Sequence, residues 1–388
     1  MSASSSPIDF EATGLLDGLD DHRAREARSQ LLTELHAAGI DLEGLRRAVA
    51  EGRLTLLPSE RQLAGEPRYT AHEVAQRSGL DLDFWTRQRH ASGLPAVDPD
   101  ERAFSEEDLC VAGGLKRFLD AGLPPEGLLE SARVFGQAGQ RSAAAVRTLL
   151  GESLVRPGDT ERDIAIRFAD AARELHSDTV LTLAYLFRAH LLHQLRSDLV
   201  DQADLAVGRV SATHEVAVCF VDLVGFTRLG ERAAPEDIGR LADRLGGLAS
   251  EVAEDPVRLV KTIGDAAMFV SPNPSALLDA AHALVDAVEA DEGLPQVRAG
   301  VALGPALRRF GDWYGAPVNL ADRITGIARP GSVLVTRNVR DTCGDRYRFS
   351  QAGRHKLKGI REPARLFRAH KATVGSANET EAPVQQGS

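Results

Sequence analysis

Two hydrophobic patterns follow one another along the 388 residues of the chain. Across residues 20–200, apolar side chains recur with the spacing of amphipathic helices. Capping boxes, in which a Ser or Thr precedes an acidic residue by three positions, predict helix starts at Thr70, Ser105 and Thr160. From residue 215 onward, short β-branched runs alternate with helical patterns. The sequence therefore predicts an all-α domain followed by an α/β domain.

The second domain supports a more detailed prediction. Its β-branched runs predict strands at residues 216–221, 257–263, 297–303 and 332–336, and the second run continues to residue 270 as a hairpin. Its helical patterns predict helices at residues 236–254, 275–290 and 318–328. The alternation contains no internal repeat.

Polar composition and apolar spacing give the domain boundaries. Residues 1–19 and 374–388 are rich in Ser, Gly, Gln and acidic side chains, and both are predicted to be disordered tails. A helical domain is expected at residues 20–178, a linker helix at 179–207 and the α/β domain at 208–373.

The predicted linker helix carries a regular apolar stripe. Steps of four and three residues, close to the seam of a coiled coil, separate Val180, Ala184, Phe187, Leu191 and Leu195. We therefore expect this helix either to pair with a second copy of itself or to pack as an ordinary amphipathic helix on its own domain.

Composition excludes several classes of protein. With 43% hydrophobic and 26% charged residues, the chain has the composition of a folded protein. Its longest apolar stretch, Thr179–Phe187, is far shorter than the roughly 20 residues that cross a bilayer. Because the N-terminus also lacks signal-peptide features, we expect no membrane span and a cytoplasmic location. The spacing of Cys110, Cys219 and Cys343 matches neither a disulfide framework nor a metal knuckle.

The segment from Tyr69 to Phe118 contains a capped helix, a Gly79 turn, a second helix, a short wing and a third helix from Ser105. This order resembles the winged helix of MerR-type transcription regulators, which implies a helix in a DNA groove. Residues 68–118 contain seven basic and nine acidic side chains, however, and the chain carries a net charge of −10. Because phosphate contacts need concentrated positive charge, nucleic-acid binding is not expected and a regulatory or protein-interaction role is favoured.

The first motif with chemical meaning follows a predicted strand and enters a helix. It reads Asp222-Leu223-Val224-Gly225-Phe226-Thr227. A carboxylate at a strand end can hold Mg²⁺, and the backbone N–H groups of a Gly-containing turn can hold a triphosphate. The alternative is that Asp222 only caps the following helix.

The second motif lies in the predicted hairpin, where Lys261 precedes a Gly264-Asp265 turn. Asp265 would approach the strand end that bears Asp222, and two converging carboxylates are what two-metal phosphoryl chemistry requires. The alternative is a turn Asp bonded to its own backbone. Lysine itself is informative here, because the chain has five Lys against 41 Arg and no other Lys between residues 116 and 356.

The third group combines a turn with the helix predicted after it. The turn reads Gly311-Asp312-Trp313-Tyr314-Gly315, and the helix carries Asn319 and Arg323. Residues four positions apart share one helix face and can act on one ligand. The alternative is that both side chains are simply solvated.

Together these motifs, over residues 210–370, resemble the catalytic domain of class III nucleotidyl cyclases. The resemblance implies a ferredoxin-like α/β fold. It assigns Asp222 and Asp265 to two Mg²⁺ or Mn²⁺ ions, with a backbone oxygen from Leu223, and it assigns the turn to the triphosphate through Gly225, Phe226 and Thr227.

The resemblance further assigns Lys261 and Asp312 to the purine, Asn319 to the ribose and Arg323 to the transition state. A Lys donor and an Asp acceptor complement N1 and the N6 amine of adenine, whereas guanine presents the reverse pattern. The expected activity is an adenylyl cyclase acting on ATP. The alternatives are a guanylyl cyclase and a DNA-binding regulator with a nucleotide-sensing cyclase-like domain. Members of this class build each active site from two subunits, which implies a homodimer.

The helical front half is similar to the autoinhibitory N-terminal domain of mycobacterial pH-sensing adenylyl cyclases. In a chain with 11 histidines, His176, His190 and His193 cluster around the predicted linker helix. Because histidine titrates near pH ~6.5, the hypothesis is that protonation loosens an inhibitory arrangement and that acid raises activity. The alternative is that the three side chains are only solvated.

Overall fold

The fold is described from a computed structural model that covers residues 8–198, 213–344, 346–360 and 362–371. The chain divides into two compact units, residues 1–201 and 202–388. The described part of the first unit is helical, and the second is built on one mixed sheet. The predicted fold class is therefore confirmed.

Eight α-helices are described in the first unit. They are α1 (His22–Ala37), α2 (Leu42–Ala50), α3 (Leu57–Ala64), α4 (Ala71–Ser78), α5 (Leu82–Ala91), α6 (Glu106–Asp120), α7 (Pro125–Leu154) and α8 (Glu161–Asp198). The predicted capping boxes form at Thr70 and Ser105, and the Thr160 hydroxyl accepts a hydrogen bond from the backbone N–H of Asp163. These side chains satisfy amides that the first helical turn leaves without acceptors.

The ordered part of the helical unit begins earlier than predicted. Phe10, Leu15 and Leu16 are buried against a cluster that includes Leu31 of α1 and Leu45 of α2. The predicted tail at residues 1–19 is therefore wrong for residues 8–19, because the apolar side chains in this polar segment reach a core that irregular spacing conceals. The predicted C-terminal tail, residues 374–388, lies outside the described residues.

The segment that resembles a winged helix folds around its own core, which includes Trp85 and Phe104. The element order is the predicted one, with α4, α5 and α6 and a bridge between Tyr69 and Phe104. Five of its seven basic side chains form ion pairs with carboxylates: Arg68, Arg87, Arg89, Arg102 and Lys116. The MerR-type interpretation itself stays a prediction.

Helix α8 is longer than the linker helix in the prediction. It begins at Glu161 and continues to Asp198, so the segment predicted to start at residue 179 is part of one helix, and residues 199–207 lie outside the described residues. Nine large apolar side chains on its second half are exposed: Val180, Leu181, Leu183, Tyr185, Leu186, Phe187, Leu191, Leu192 and Leu195. In the described ranges, no helix is long and apolar enough to span a membrane.

The second unit alternates strands and helices as follows: β1 (Thr213–Leu223), α9 (Phe226–Gly230), α10 (Pro235–Glu251), β2 (Arg258–Ile263), β3 (Ala266–Ser271), α11 (Pro274–Glu289), β4 (Val297–Arg309), β5 (Asp312–Tyr314), α12 (Ala316–Thr325), β6 (Val333–Thr336), α13 (Arg337–Cys343), β7 (Tyr347–His355) and β8 (Ala364–Lys371). Every strand and helix predicted for this unit is present. The sequence prediction did not include β5, α13, β7 or β8.

The sheet order is β2-β3-β1-β4-β6-β8-β7, and β5 pairs with β4. The first four strands follow the β-α-β-β-α-β order of a ferredoxin-like fold. Only the β4–β6 pair is parallel among the described pairings.

The two faces of the sheet carry different helices. Helices α10 and α11 cover one face through a large core that includes Leu245, Leu277 and Phe269. Helix α12 covers the other face, where Phe220 of β1 packs with Ala321. We call this second surface the α12 face. Because side chains alternate along a strand, Asp222 follows Phe220 onto it.

Candidate active site

Asp222 and Asp265 meet at one end of the sheet. Asp222 lies next to the end of β1, opposite Ala266 of β3. Asp265 lies in the β2–β3 turn, where Gly264 adopts a positive φ of 58° and the carbonyl of Asp265 accepts a hydrogen bond from the Leu223 N–H at 3.0 Å. Burial, followed by the neighbouring Asp222 carboxyl, raises the pKa of Asp265 to about 6. The two predicted metal ligands are therefore adjacent.

Arg298 of β4 is a member of this site that the sequence prediction missed. Its Nε and Nη2 atoms donate to Oδ2 of Asp222 at 3.1 and 2.6 Å, and its Nη1 donates to the Gly326 carbonyl at 2.8 Å. The pairing register of β1 and β4 places Arg298 directly opposite Asp222. Sequence analysis could not identify Arg298, because this register is not visible in the sequence. Arg298 thus forms an ion pair with Asp222 at the end of the sheet and holds that carboxylate in place.

The chemistry of this site fits a small, hard cation. Mg²⁺ binds through one or two protein carboxylates and takes its remaining ligands from water and substrate phosphates. Asp222 and Asp265 supply that number, and in the described part of the chain no group of three or more acidic, His or Cys side chains is arranged to hold a metal ion. The site therefore resembles one completed by a phosphorylated substrate rather than an all-protein cage.

The glycine turn after β1 has the predicted form. Gly225 has a positive φ of 78° and precedes α9. Leu223 is fully buried, so only its backbone is available to a ligand, whereas Phe226 packs partly against the core and Thr227 is exposed. The first amides of a helix have no acceptor within it, so the turn can offer backbone N–H groups to an anion.

Lys261 and Asp312 form an ion pair between β2 and β5. Asp312 also accepts a hydrogen bond from the Trp313 N–H at 2.9 Å. Lys261 pairs with Met268 in the β2–β3 register, and Met268 packs with Phe220 on the α12 face. Because directly paired residues point to the same face, Lys261 shares that face with Asp222.

Asn319 and Arg323 lie one turn apart on the exposed side of α12. Arg323 lies 3.6 Å from Asp322. Among the described residues, no hydrogen bond or ion pair joins either side chain to the Asp222–Asp265 or Lys261–Asp312 pair. The structure thus brings eight predicted residues into two pairs and a turn, and leaves Asn319 and Arg323 directed outward.

Helix α12 is held very close to the strands beneath it. A Cβ atom at Gly300 of β4 would lie 2.4 Å from the Thr325 nitrogen and 2.6 Å from the Ala321 carbonyl oxygen. The buried Thr325 hydroxyl lies 2.8 Å from the Ala321 oxygen and 3.1 Å from the Phe220 oxygen. These contacts fix the helix that carries Asn319 and Arg323.

The three histidines of the regulatory hypothesis all lie exposed on α8: His176, His190 and His193. His190 and His193 are three residues apart and so share a helix face, as predicted.

Comparison with known proteins defines the class. The adenylate cyclase regulatory domain matches residues 8–199, and the adenylate and guanylate cyclase catalytic domain matches residues 209–371. The chain therefore consists of a regulatory domain followed by a nucleotidyl cyclase catalytic domain. The regulatory match also begins before residue 20, in agreement with the packed segment around Phe10.

Individual proteins that resemble this chain identify the family within this class. The chain is 39% identical to the pH-sensitive adenylate cyclase MT1302 of Mycobacterium tuberculosis, over 90% of each chain. It is 30% identical to an adenylate cyclase of Streptomyces coelicolor, over 70% of this chain and 71% of that one. The adenylyl cyclase CyaB of P. aeruginosa, a solved structure, is 18% identical over 42% of this chain and 99% of that one, with a TM-score of 0.38. The chain belongs to the adenylate cyclase family.

Proposed function

We propose that the protein converts ATP to 3′,5′-cyclic AMP and pyrophosphate as a homodimer that uses two Mg²⁺ or Mn²⁺ ions and is regulated by its helical unit. The observation that carries this proposal is the meeting of Asp222 and Asp265 beside a glycine turn, on a sheet face that also bears Lys261. The relatives named adenylate cyclase support the choice of reaction.

Asp222 and Asp265 would hold the metal ions, and the Leu223 carbonyl would assist them. When bound there, the ions would lower the pKa of a ribose hydroxyl and neutralise charge on the phosphates. Arg298 would hold the Asp222 carboxylate in position through its hydrogen bonds, and the turn at Gly225 would direct amides toward the triphosphate. The residues of this chain therefore provide anionic anchors and phosphate donors in one place.

Lys261 and Asp312 would select adenine. Each is half-buried and already paired with the other, so both are held at a fixed separation before substrate arrives. The Lys ammonium can donate to N1, and the Asp carboxylate can accept from the N6 amine. Guanine would place a donor against Lys261 and an acceptor against Asp312, which argues against the guanylyl cyclase alternative.

A direct assay tests the reaction and the choice of base. The full chain is incubated with ATP or GTP, each with Mg²⁺, Mn²⁺ or a chelator, and cyclic product is measured. Cyclic AMP should form from ATP only when metal is present. Equal turnover of GTP would contradict adenine selection, and turnover in chelator would contradict the metal assignment.

The homodimer is proposed because one chain leaves its site residues divided. Asn319 and Arg323 are exposed, and in the described part of the chain no hydrogen bond or ion pair joins them to the carboxylate pair, which is the arrangement expected if they serve the site of a second chain. The apolar side chains along α8 supply a further surface for pairing, including Phe187 and Leu191, which are 56% and 44% exposed.

Mixing two inactive variants tests the shared site. Asp222→Ala and Arg323→Ala are each expected to be inactive alone. In an equal mixture with free exchange, half of the dimers are mixed, and each mixed dimer has one intact site of two. Activity should return to about one quarter of the wild-type value. If mixed dimers form and activity stays absent, the site lies within one chain.

For regulation, we propose that protonation on α8 releases inhibition by the helical unit. His190 and His193 share an exposed helix face, where two positive charges would repel. The double variant His190→Ala, His193→Ala should flatten the activity profile between about pH 5.5 and 8, and His176→Ala serves as a separate comparison. An unchanged profile in the double variant would assign the response to other groups.

The DNA-binding alternative is less well supported. Five of the seven basic side chains in the winged-helix segment already form ion pairs, so little free positive charge remains for phosphates.

A further inference from the structure

A cavity of about 530 Å³ lies in the catalytic unit, on elements that carry none of the predicted catalytic residues. It is formed by the loop Arg329–Ser332 before β6, the last residues of β8 and His282 of α11. Its size lies within the range of small-molecule sites, about 300–1,000 Å³.

The charges that line this cavity have one sign. Arg329, Arg368 and Lys371 contribute three cations, His282 and His370 contribute two imidazoles, and no carboxylate lines it within the described residues. Like charges held close together repel unless an anion offsets them, and among these three cations only Lys371 is offset by a described residue, Asp286.

Several of these groups lack partners. Lys371 is ion-paired with Asp286, but in the described part of the chain neither Arg329 nor Arg368 forms an ion pair. Nε of Arg368 and Nε2 of His282 are both buried without a hydrogen-bond partner among the described residues. Buried polar atoms are almost always satisfied in folded proteins, so these two residues of the cavity wall each keep a polar atom that the described residues leave unsatisfied.

The state of His282 agrees with such a group. The residue is 9% exposed and its ring stacks on Tyr347. Burial, followed by the charge of Lys371, lowers its pKa to about 4, so the imidazole is neutral at ordinary pH and can donate one N–H. An anion beside Lys371 and Arg368 would offset the crowding of positive charge around this ring.

We propose that this cavity binds a small phosphate-bearing anion. Guanidinium groups present a planar fork of donors that matches phosphate oxygens, and two arginines that form no ion pair with a described residue call for a ligand with more than one negative charge. A phosphate dianion meets this need, whereas a single carboxylate does not. The ligand is either free phosphate or the phosphoryl group of an organic molecule.

Calorimetric titration of the full chain, without metal or nucleotide and at constant ionic strength, tests the proposal. Inorganic phosphate should bind saturably with one site per chain. Arg329→Gln and Arg368→Gln should each weaken binding at least about tenfold. The control Arg354→Gln removes an exposed cation elsewhere on the β7–β8 hairpin and should change the dissociation constant by less than about twofold.

Two comparisons locate and identify the anion. Arg323→Gln should leave phosphate binding unchanged, and its loss in that variant would place the phosphate in the active site and overturn the proposal. Glycerol 2-phosphate binding more tightly than inorganic phosphate identifies an organic ligand, and the reverse identifies free phosphate. Succinate binding as tightly as either would overturn the choice of phosphate.

The binding experiment remains decisive even if one of the cavity variants fails to fold. Arg329 and Lys371 are exposed, so Arg329→Gln and Lys371→Gln remain informative if the more buried Arg368→Gln fails to fold. No saturable binding to the wild-type chain below about 10 mM phosphate, or equal binding by all three cavity variants, would overturn the proposal.

Discussion

The two units of the chain place their functional side chains in opposite ways. In the sheet unit, the polar residues of the motifs are already paired within one chain, as Asp222 is with Arg298 and Lys261 with Asp312. In the helical unit, the second half of α8 exposes large apolar side chains together with its histidines. The polar pairs are therefore held in place within one chain, whereas the apolar stripe of α8 needs a covering surface. The site residues are thus positioned locally, and both the proposed shared site and its control depend on assembly.

The largest expected effect comes from removing either carboxylate of the sheet unit. Asp222→Ala or Asp265→Ala should reduce cyclase activity at least about 100-fold, because each variant removes an anionic metal anchor that no neighbour replaces. Product formation from ATP measures the loss, and circular dichroism checks the fold. The matched control Asp243→Ala, an exposed acid on α10, should keep wild-type activity. Substantial activity in either site variant would refute the two-carboxylate site.

The next prediction separates packing from chemistry on the same strand. Gly300→Ala should lower the free energy of unfolding by about 1–3 kcal/mol, because its Cβ would enter the backbone of α12. Activity should fall as well, because this helix carries Asn319 and Arg323. Urea denaturation with a parallel assay measures both effects.

Gly304→Ala provides the control on β4. The nearest atoms to its Cβ would belong to Pro317, at 3.9 Å, so the change in unfolding free energy should stay within about 0.5 kcal/mol. Similar losses in both variants would show that α12 is not held as closely as the contacts at Gly300 indicate.

A third prediction concerns the pH dependence of stability that arises from His282 on α11. The pKa of its imidazole is about 4 in the folded chain and 6.5 in the unfolded chain, so the folded state disfavours the protonated ring. The resulting stability is present above pH 6.5 and is lost as pH falls toward 4, with a loss of about 2 kcal/mol by pH 5. Urea midpoints at about pH 7.5 and pH 5 measure it. His282→Gln should flatten the difference, and an unchanged difference would assign it to other groups.

The smallest expected effect on stability lies in the helical unit. Leu191→Ser with Leu195→Ser should change the unfolding free energy of the single chain by no more than about 0.5 kcal/mol, because both side chains are exposed there. The same change should weaken self-association, as measured by sedimentation over a range of concentrations. Arg188→Ser on the same helix is the control. Unaltered association in the double variant would remove this stripe from the dimer contact.

The sequence predicted the catalytic strands and motif residues because their signals are local. A β-branched run, a glycine turn or a capping box depends on neighbours in the chain. Arg298, Gly300 and Thr325 were not identified, because their roles depend on which strand pairs with β1 and where α12 rests.

Strand β7 was missed because its pattern depends on its place in the sheet. β7 lies at an edge of the sheet and its side chains are mostly exposed, so its sequence lacks a continuous apolar run. The packed residues Phe10, Leu15 and Leu16 were assigned to a tail because polar composition outweighed three apolar side chains without regular spacing.

The anchoring of α12 has a consequence for how substrate concentration controls the enzyme. The C-terminal end of the helix is tied to its own chain, through Thr325 to the carbonyl of Phe220 and through Arg298 to Asp222. In the proposed dimer, its Asn319 and Arg323 would act on the other nucleotide. A shift of α12 when ATP binds at one active site would then disturb the carboxylates of the second active site. The plot of cyclase rate against ATP concentration should accordingly depart from a simple hyperbola. Its Hill coefficient should return to unity in a dimer that has only one intact active site.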